Sequence, residues 1–215
     1  MGGLYKNLKL CTADVNVIPV RVHVEEHEIP QDVIKEINNR LILAFGGRPR
    51  LAKNILQKVL RQWASRSPEI LSTVEKLVPG AHNCIKAIQR KDYKELGKLL
   101  DEYWTLKKAM AGENSGVEPM EVKTIFEALK EEKIIEGCTL AGAGGGGFMT
   151  MLLCEGRNVE EAKKVLEDSK DIDEKLVTWY HCQVCNEGLR SFIASASLDP
   201  CEFRLEWHMS NSDKN

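Results

Sequence analysis

The stretch Gly142-Ala143-Gly144-Gly145-Gly146-Gly147 decides how this chain is read. Five of its six residues are glycine, and apolar segments flank it: Ile134-Ile135 through Leu140 before, Phe148 through Cys154 after. Glycine loses more backbone freedom on folding than any other residue. A glycine run inside an apolar pattern therefore marks a place where the main chain must come close to something. Without Cβ atoms, successive N–H groups can converge on one point and form an anion-binding concavity. Two readings follow: a cradle for a phosphate or sugar phosphate, or a mobile turn between strands. The requirement for close backbone approach favours the first.

The spacing of Gly142, Gly144 and Gly147 satisfies G-x-G-x-x-G, but the dinucleotide fingerprint needs a helix directly after its glycines. Here the glycines lead into Phe148-Met149-Thr150-Met151-Leu152-Leu153-Cys154, closed by Glu155-Gly156. That run is too short for a helix and reads as a buried strand. A Walker loop needs Lys and then Ser or Thr after its last glycine, and Phe148 stands in the Lys position. What remains is strand, glycine loop, strand, with Asn158 to Lys170 as the next helix.

Outward from this centre, the first 30 residues read as strands. Val15 to Glu26 alternates Val20, Val22 and Val24 with Arg21, His23 and Glu25, the pattern of a half-buried strand with one wet face. A helix over Gln31 to Asn38 leads into a strand from Arg40 to Phe45. The middle third is helical: Leu51, Ile55, Leu56, Val59, Leu60 and Trp63 fall on one face. Ser67-Pro68-Glu69 starts the next helix, which Pro79-Gly80 should kink or break. Asp92 to Met110 turns Leu96, Leu99, Leu100, Tyr103 and Trp104 inward, Ala111 to Val117 is a loop, and Met120 to Glu132 is helical. A last strand spans Lys175 to Val184. Strands, helices, strand, loop, strand, helix, strand is an α+β order, with helices stacked on one face of a small antiparallel sheet.

Composition sets the outer limits. The chain has 215 residues, enough for one domain with a small appendage, and 43% of them are hydrophobic. A net charge of −2 gives no basic field for nucleic acid or an anionic membrane. No apolar run is long enough to span a bilayer. Seven scattered cysteines and no signal peptide suit a reducing cytosol. His23 and His27 lack carboxylate or thiol partners at ligand spacing, so no metal site is expected there. Cys182-x-x-Cys185 has the spacing of a redox or zinc pair but neither a second pair nor a following helix. Arg48, Arg50 and Lys53 open the first long helix, either as a contact to phosphate or a partner domain, or as a solvated basic face.

Taken together, Leu140 through Phe148 resembles the third conserved motif of the GHMP small-molecule kinases. Leu41-Ile42-Leu43-Ala44-Phe45-Gly46-Gly47-Arg48-Pro49-Arg50-Leu51-Ala52 is similar to a segment shared by the L-fucokinases and bacterial heptose kinases. Tyr103-Trp104, Lys107-Lys108 and Glu118-Pro119 resemble the fucokinase version in particular. The resemblance runs from about Gly2 to Leu189. It departs from the family at Gly46, where relatives have threonine, and at Pro79-Gly80, where relatives run an unbroken helix.

The resemblance implies a GHMP kinase C-terminal domain over residues 31–190, a ferredoxin-like sheet with a helical layer. Residues 1–30 are then remnant strands of the kinase N-terminal domain, and 191–215 a polar tail. It implies ATP and Mg2+ as cofactors, and L-fucose or a related sugar as the phosphate acceptor. Gly142, Ala143, Gly144, Gly145, Gly146 and Gly147 would hold the nucleotide or substrate phosphate, and Arg50 would contact phosphate or the other domain. The family's N-terminal phosphate loop is not in this sequence. Gly2-Gly3 aligns with the end of the Asp-Gln-x-Gly-Gly stretch, so the proposed catalytic aspartate would lie two residues before Met1 and no catalytic residue is assigned. The expectation is the C-terminal part of a cytoplasmic sugar kinase, inactive without its N-terminal half. Another sugar kinase of the superfamily, such as a heptose kinase, or a non-catalytic binding module derived from one, are the alternatives.

Overall fold

The structure, a computed structural model, describes residues 4–14, 16–46, 53–112, 115–169, 172 and 177–189. Arg48, Arg50, Leu51 and the 191–215 tail, all part of the sequence expectations, lie outside these residues. The chain divides into two compact units, residues 1–29 with 185–215, and residues 30–184.

In the first unit, β1 (Leu8–Asp14) and β2 (Arg21–His27) form an antiparallel hairpin, with Leu8 opposite His27 and Asp14 opposite Arg21. The strand expected from Val15 begins only at Arg21, and Val20 and Val22 are exposed rather than covered. The alternation is present, but the described residues of this unit supply no layer against its apolar face. A two-stranded ribbon cannot bury a face by itself.

The second unit begins with α1 (Gln31–Arg40), which follows Pro30, has Asp32 in its first turn and Arg40 in its last, and buries Val33 and Ile34. Arg40 bonds Glu36 one turn back and lies 4.8 Å from the centre of the Tyr93 ring. The order then runs β3 (Leu41–Phe45), α2 (Lys53–Ala64), α3 (Pro68–Gln89), α4 (Tyr93–Ala111), α5 (Met120–Glu131), β4 (Ile135–Leu140), β5 (Phe148–Leu153), α6 (Val159–Asp168) and β6 (Thr178–Tyr180). The strands form one antiparallel sheet in the order β4-β5-β3-β6. This is the β-α-β-β-α-β arrangement of a ferredoxin-like fold, with four helices in its first connection.

Alternation along the strands gives the sheet two different faces. Ile42, Ala44, Met149 and Met151 are buried in the main core, together with Val122, Ile125, Phe126 and Leu129 of α5 and Ala162 and Leu166 of α6. Leu43, Phe45, Phe148 and Tyr180 lie on the opposite face, where Phe148 and Tyr180 are exposed. Helix α4 sits against β4 with no room for side chains at the crossing. A Cβ on Gly137 would lie 1.8 Å from the carbonyl oxygen of Gly97. Asp101 of α4 accepts a hydrogen bond from the Cys138 N–H at 2.9 Å and pairs with Lys130 of α5 at 2.8 Å. Two helices and a strand are thereby tied at one point.

Several sequence expectations need correction. Ile55 of α2 is buried, but Leu56, Leu60 and Trp63 are exposed, Trp63 by 46%. Tyr103 of α4 is exposed, while Leu99 and Trp104 are buried. Helical periodicity marks an apolar stripe, but only packing shows which part of it finds a neighbour. Pro79 does not break α3, which runs as one helix from Pro68 to Gln89. Pro79 and Glu75 are both exposed, so the carbonyl that loses its donor is on the wet side of the helix. Of the strand expected from Lys175 to Val184, the described residues form Thr178–Tyr180, and Lys175 and Leu176 lie outside them. Its alternation holds, with Val177 buried and Trp179 half-buried between exposed Thr178 and Tyr180.

Candidate functional site

The glycine run is the β4–β5 connection. Its ends continue the sheet: the Ala141 N–H donates to the Phe148 carbonyl at 2.8 Å, and the Gly46 N–H, just past β3, donates to the Gly147 carbonyl at 3.1 Å. Between these anchors the backbone takes a course that side chains rarely allow. The φ angles of Gly142, Gly144, Gly145, Gly146 and Gly147 are +73°, +86°, +85°, +121° and +91°.

The run has a buried base and an open rim. Gly144 and Gly145 are buried. A Cβ on Gly144 would come within 2.4 Å of Val117 Cγ2 and 3.4 Å of the Trp104 ring, whereas one on Gly142 or Gly147 would meet nothing within 4 Å. The Gly145 N–H donates to the Val117 carbonyl at 2.6 Å. The first thing the backbone approaches is thus the protein's own 115–119 loop. Among the described residues, no acceptor bonds the N–H of Ala143 or Gly146, which leaves amides of the run available to an anion.

Helix α4 supports this geometry from below. Trp104 Nε1 donates to Glu118 Oε1 at 2.5 Å, and Lys108 Nζ pairs with the same carboxylate at 3.0 Å. Lys107 Nζ donates to the carbonyls of Leu140 and Gly142, bracketing the start of the run, and lies 5.3 Å from the Trp104 ring centre. Burial pushes the Lys107 ammonium below the ordinary lysine range. Beside the run, Phe148 packs on Phe45 with ring centres 5.2 Å apart and edge-on to Tyr180 at 5.4 Å.

Of the expected site residues, the structure brings Gly142 through Gly147 together as one turn; Arg50 lies outside the described residues. The pair Trp104 and Glu118 is 14 residues apart on a helix and a loop. No periodicity links such positions, so their support of Gly144 and Gly145 is not visible in the sequence. Gly46, where threonine was expected from the resemblance, is not conformationally required. A Cβ there would find ordinary contacts at 3.6 Å and beyond. An open cavity of about 770 Å³ borders the support, lined by Lys108, Val117, Glu118 and Lys123 among others. A second, of about 450 Å³, lies at the far end of the sheet beside Leu41, Leu153 and Asn158. Among the described residues no cluster of three His, Cys, Asp or Glu side chains forms a metal site.

Comparison with known proteins finds a family match over the segment that holds this geometry. The family model described as GHMP kinases C terminal matches residues 84–171, which include the whole glycine run. The bifunctional fucokinase/GDP-fucose pyrophosphorylase of Arabidopsis thaliana is 28% identical over 184 residues, 85% of this chain and 17% of that protein. The L-fucokinase/L-fucose-1-P guanylyltransferase of Bacteroides fragilis is 26% identical over 170 residues, 78% of this chain and again 17% of the relative. The chain therefore spans about a sixth of the length of the curated relatives it matches. Among solved structures, mevalonate kinase of L. major with bound R-mevalonate superposes with a TM-score of 0.59 at 16% identity, covering 74% of this chain and 45% of that one. Lactococcus lactis galactokinase with galactose gives 0.56 at 17% identity, covering 87% and 53%. The family match takes in the glycine connection, and the fold is similar to that of the solved mevalonate kinase and galactokinase.

Proposed function

We propose that this chain is the C-terminal portion of an ATP-dependent L-fucokinase that converts L-fucose to L-fucose 1-phosphate. In this reading the anomeric hydroxyl attacks the γ-phosphorus of ATP, the bond to the β,γ-bridging oxygen breaks, and ADP leaves. The hydroxyl proton passes to a general base. Phosphoryl transfer relies on positioning and charge stabilisation. The part of this chain is to set the open amides of the glycine run against the phosphates, while Phe45, Phe148 and Tyr180 form an apolar wall beside them. The observation that carries the reading is the run of five positive-φ glycines between β4 and β5, within the matched residues. The two relatives, both named as fucokinases, support L-fucose as the acceptor.

The test is a chimera in which this chain replaces the matching segment of the Bacteroides fragilis relative. It should release ADP in an L-fucose-dependent manner. Gly145→Val in that chimera should lower turnover more than it lowers the melting temperature, because a side chain displaces the main chain from the phosphates. A folded chimera without fucose-dependent ADP release would overturn the proposal. The 215-residue chain by itself should show none, since half of a shared cleft forgoes most of the effective molarity of the whole.

A further inference from the structure

We infer that Glu118 is a positioning residue for the glycine run, acting through Val117; its bearing on catalysis rests on the phosphate-binding reading of that run. Glycines at left-handed φ have many alternative conformations, so an ordered run needs an external template. Val117 is that template. Its carbonyl accepts from Gly145, and its side chain fills the space that a Gly144 side chain would need. Val117 itself lies in a loop between α4 and α5, with no ladder to hold it. Beside the packing of Val117 in the main core and the 3.3 Å bond from its N–H to Ser115 Oγ, the next residue ties this loop to α4. The Glu118 side chain, 13% exposed, takes the Trp104 indole N–H and the Lys108 ammonium, both from α4. Helix α4 is in turn fixed against β4, the strand that leads into the run. The path is closed: β4 to α4, α4 to Glu118, Glu118 to Val117, and Val117 back to the loop that β4 enters. Charge-assisted hydrogen bonds on a mostly buried carboxylate are among the stronger links available for such a strut.

The experiment compares the full chain with Glu118→Ala and Glu118→Gln by amide hydrogen exchange and NMR. The alanine variant should lose protection at the Gly145 amide by about tenfold or more, and move its proton resonance, while amides of β4 and β5 stay protected. The glutamine variant keeps an acceptor for Trp104 and loses the charge, so it should recover part of that protection. It also serves if the alanine variant does not fold. A Gly145 amide unchanged in both variants overturns the inference. In the chimera, Glu118→Gln should lower kcat by about tenfold with KM for L-fucose changed less than about twofold. A displaced Gly145 amide with kcat intact overturns the catalytic bearing of the strut. A displaced amide in a protein whose parent chimera is inactive leaves the strut standing and removes the kinase reading.

Discussion

Cys138 is the residue whose chemistry the fold changes most. It is fully buried, and its thiol is pushed from 9.0 up to about 12, chiefly by burial, with the neighbouring Lys130 ammonium opposing the shift. An unfolded chain ionises this thiol near its ordinary value while the folded chain still holds the proton. Its contribution to stability is therefore complete below about pH 9 and is lost as pH rises towards 12, with a limiting slope of about 1.4 kcal/mol per pH unit. Urea midpoints measured from pH 8 to 11 should fall more steeply for the native sequence than for Cys138→Ala, and parallel curves would show the assignment to be wrong. At this scale the sequence was legible in part. Six adjoining small residues announce an unusual backbone; its left-handed angles suit glycine, and Val117 lies against Gly144. That the nearest approach is to Val117 was not legible, because a loop carbonyl leaves no mark on the pattern of side chains.

Among elements, the crossing of α4 over β4 has the least room to adjust. A Cβ at Gly97 would stand 2.3 Å from the Glu136 Cβ and 2.7 Å from its carbonyl carbon, and Gly137 meets Gly97 still more closely. Both neighbours are main chain or its first side-chain atom, so neither can rotate away. Gly97→Ala or Gly137→Ala should each cost about 3 kcal/mol or more by forcing helix and strand apart. Chemical denaturation checks this, and a native midpoint for either variant would sink it. Neither glycine stands out in the sequence, since one sits inside a helical pattern and the other inside a strand pattern. The converse error came from α2, where a full apolar stripe promised a buried face; among its described residues Ile55 is buried, Val59 is half-buried, and Leu56, Leu60 and Trp63 are exposed. Periodicity reports which residues would share a face, and says nothing of what lies opposite. Helix ends were more readable: Asn158 and Glu161 form a reciprocal capping box at the start of α6, where the sequence places the helix.

For the molecule as a whole, among the described residues, the unit 30–184 holds the four-stranded sheet, the six helices and the members of the main core. Chain order made this architecture readable, because a strand followed by helices, then two strands, a helix and a strand admits few antiparallel arrangements. A protein of residues 30–184 alone should therefore unfold in one cooperative transition, with calorimetric and van't Hoff enthalpies in agreement. A gradual, non-cooperative melt would contradict this. The β4–β5 turn also bears on inheritance. Every missense change of a single nucleotide in a glycine codon installs an amino acid with a Cβ. At positions 142, 144, 145, 146 and 147 each such allele meets a backbone angle suited to glycine. These few codons form a mutational target far denser than their length, where population variants should be scarce and those that occur should segregate as loss of function.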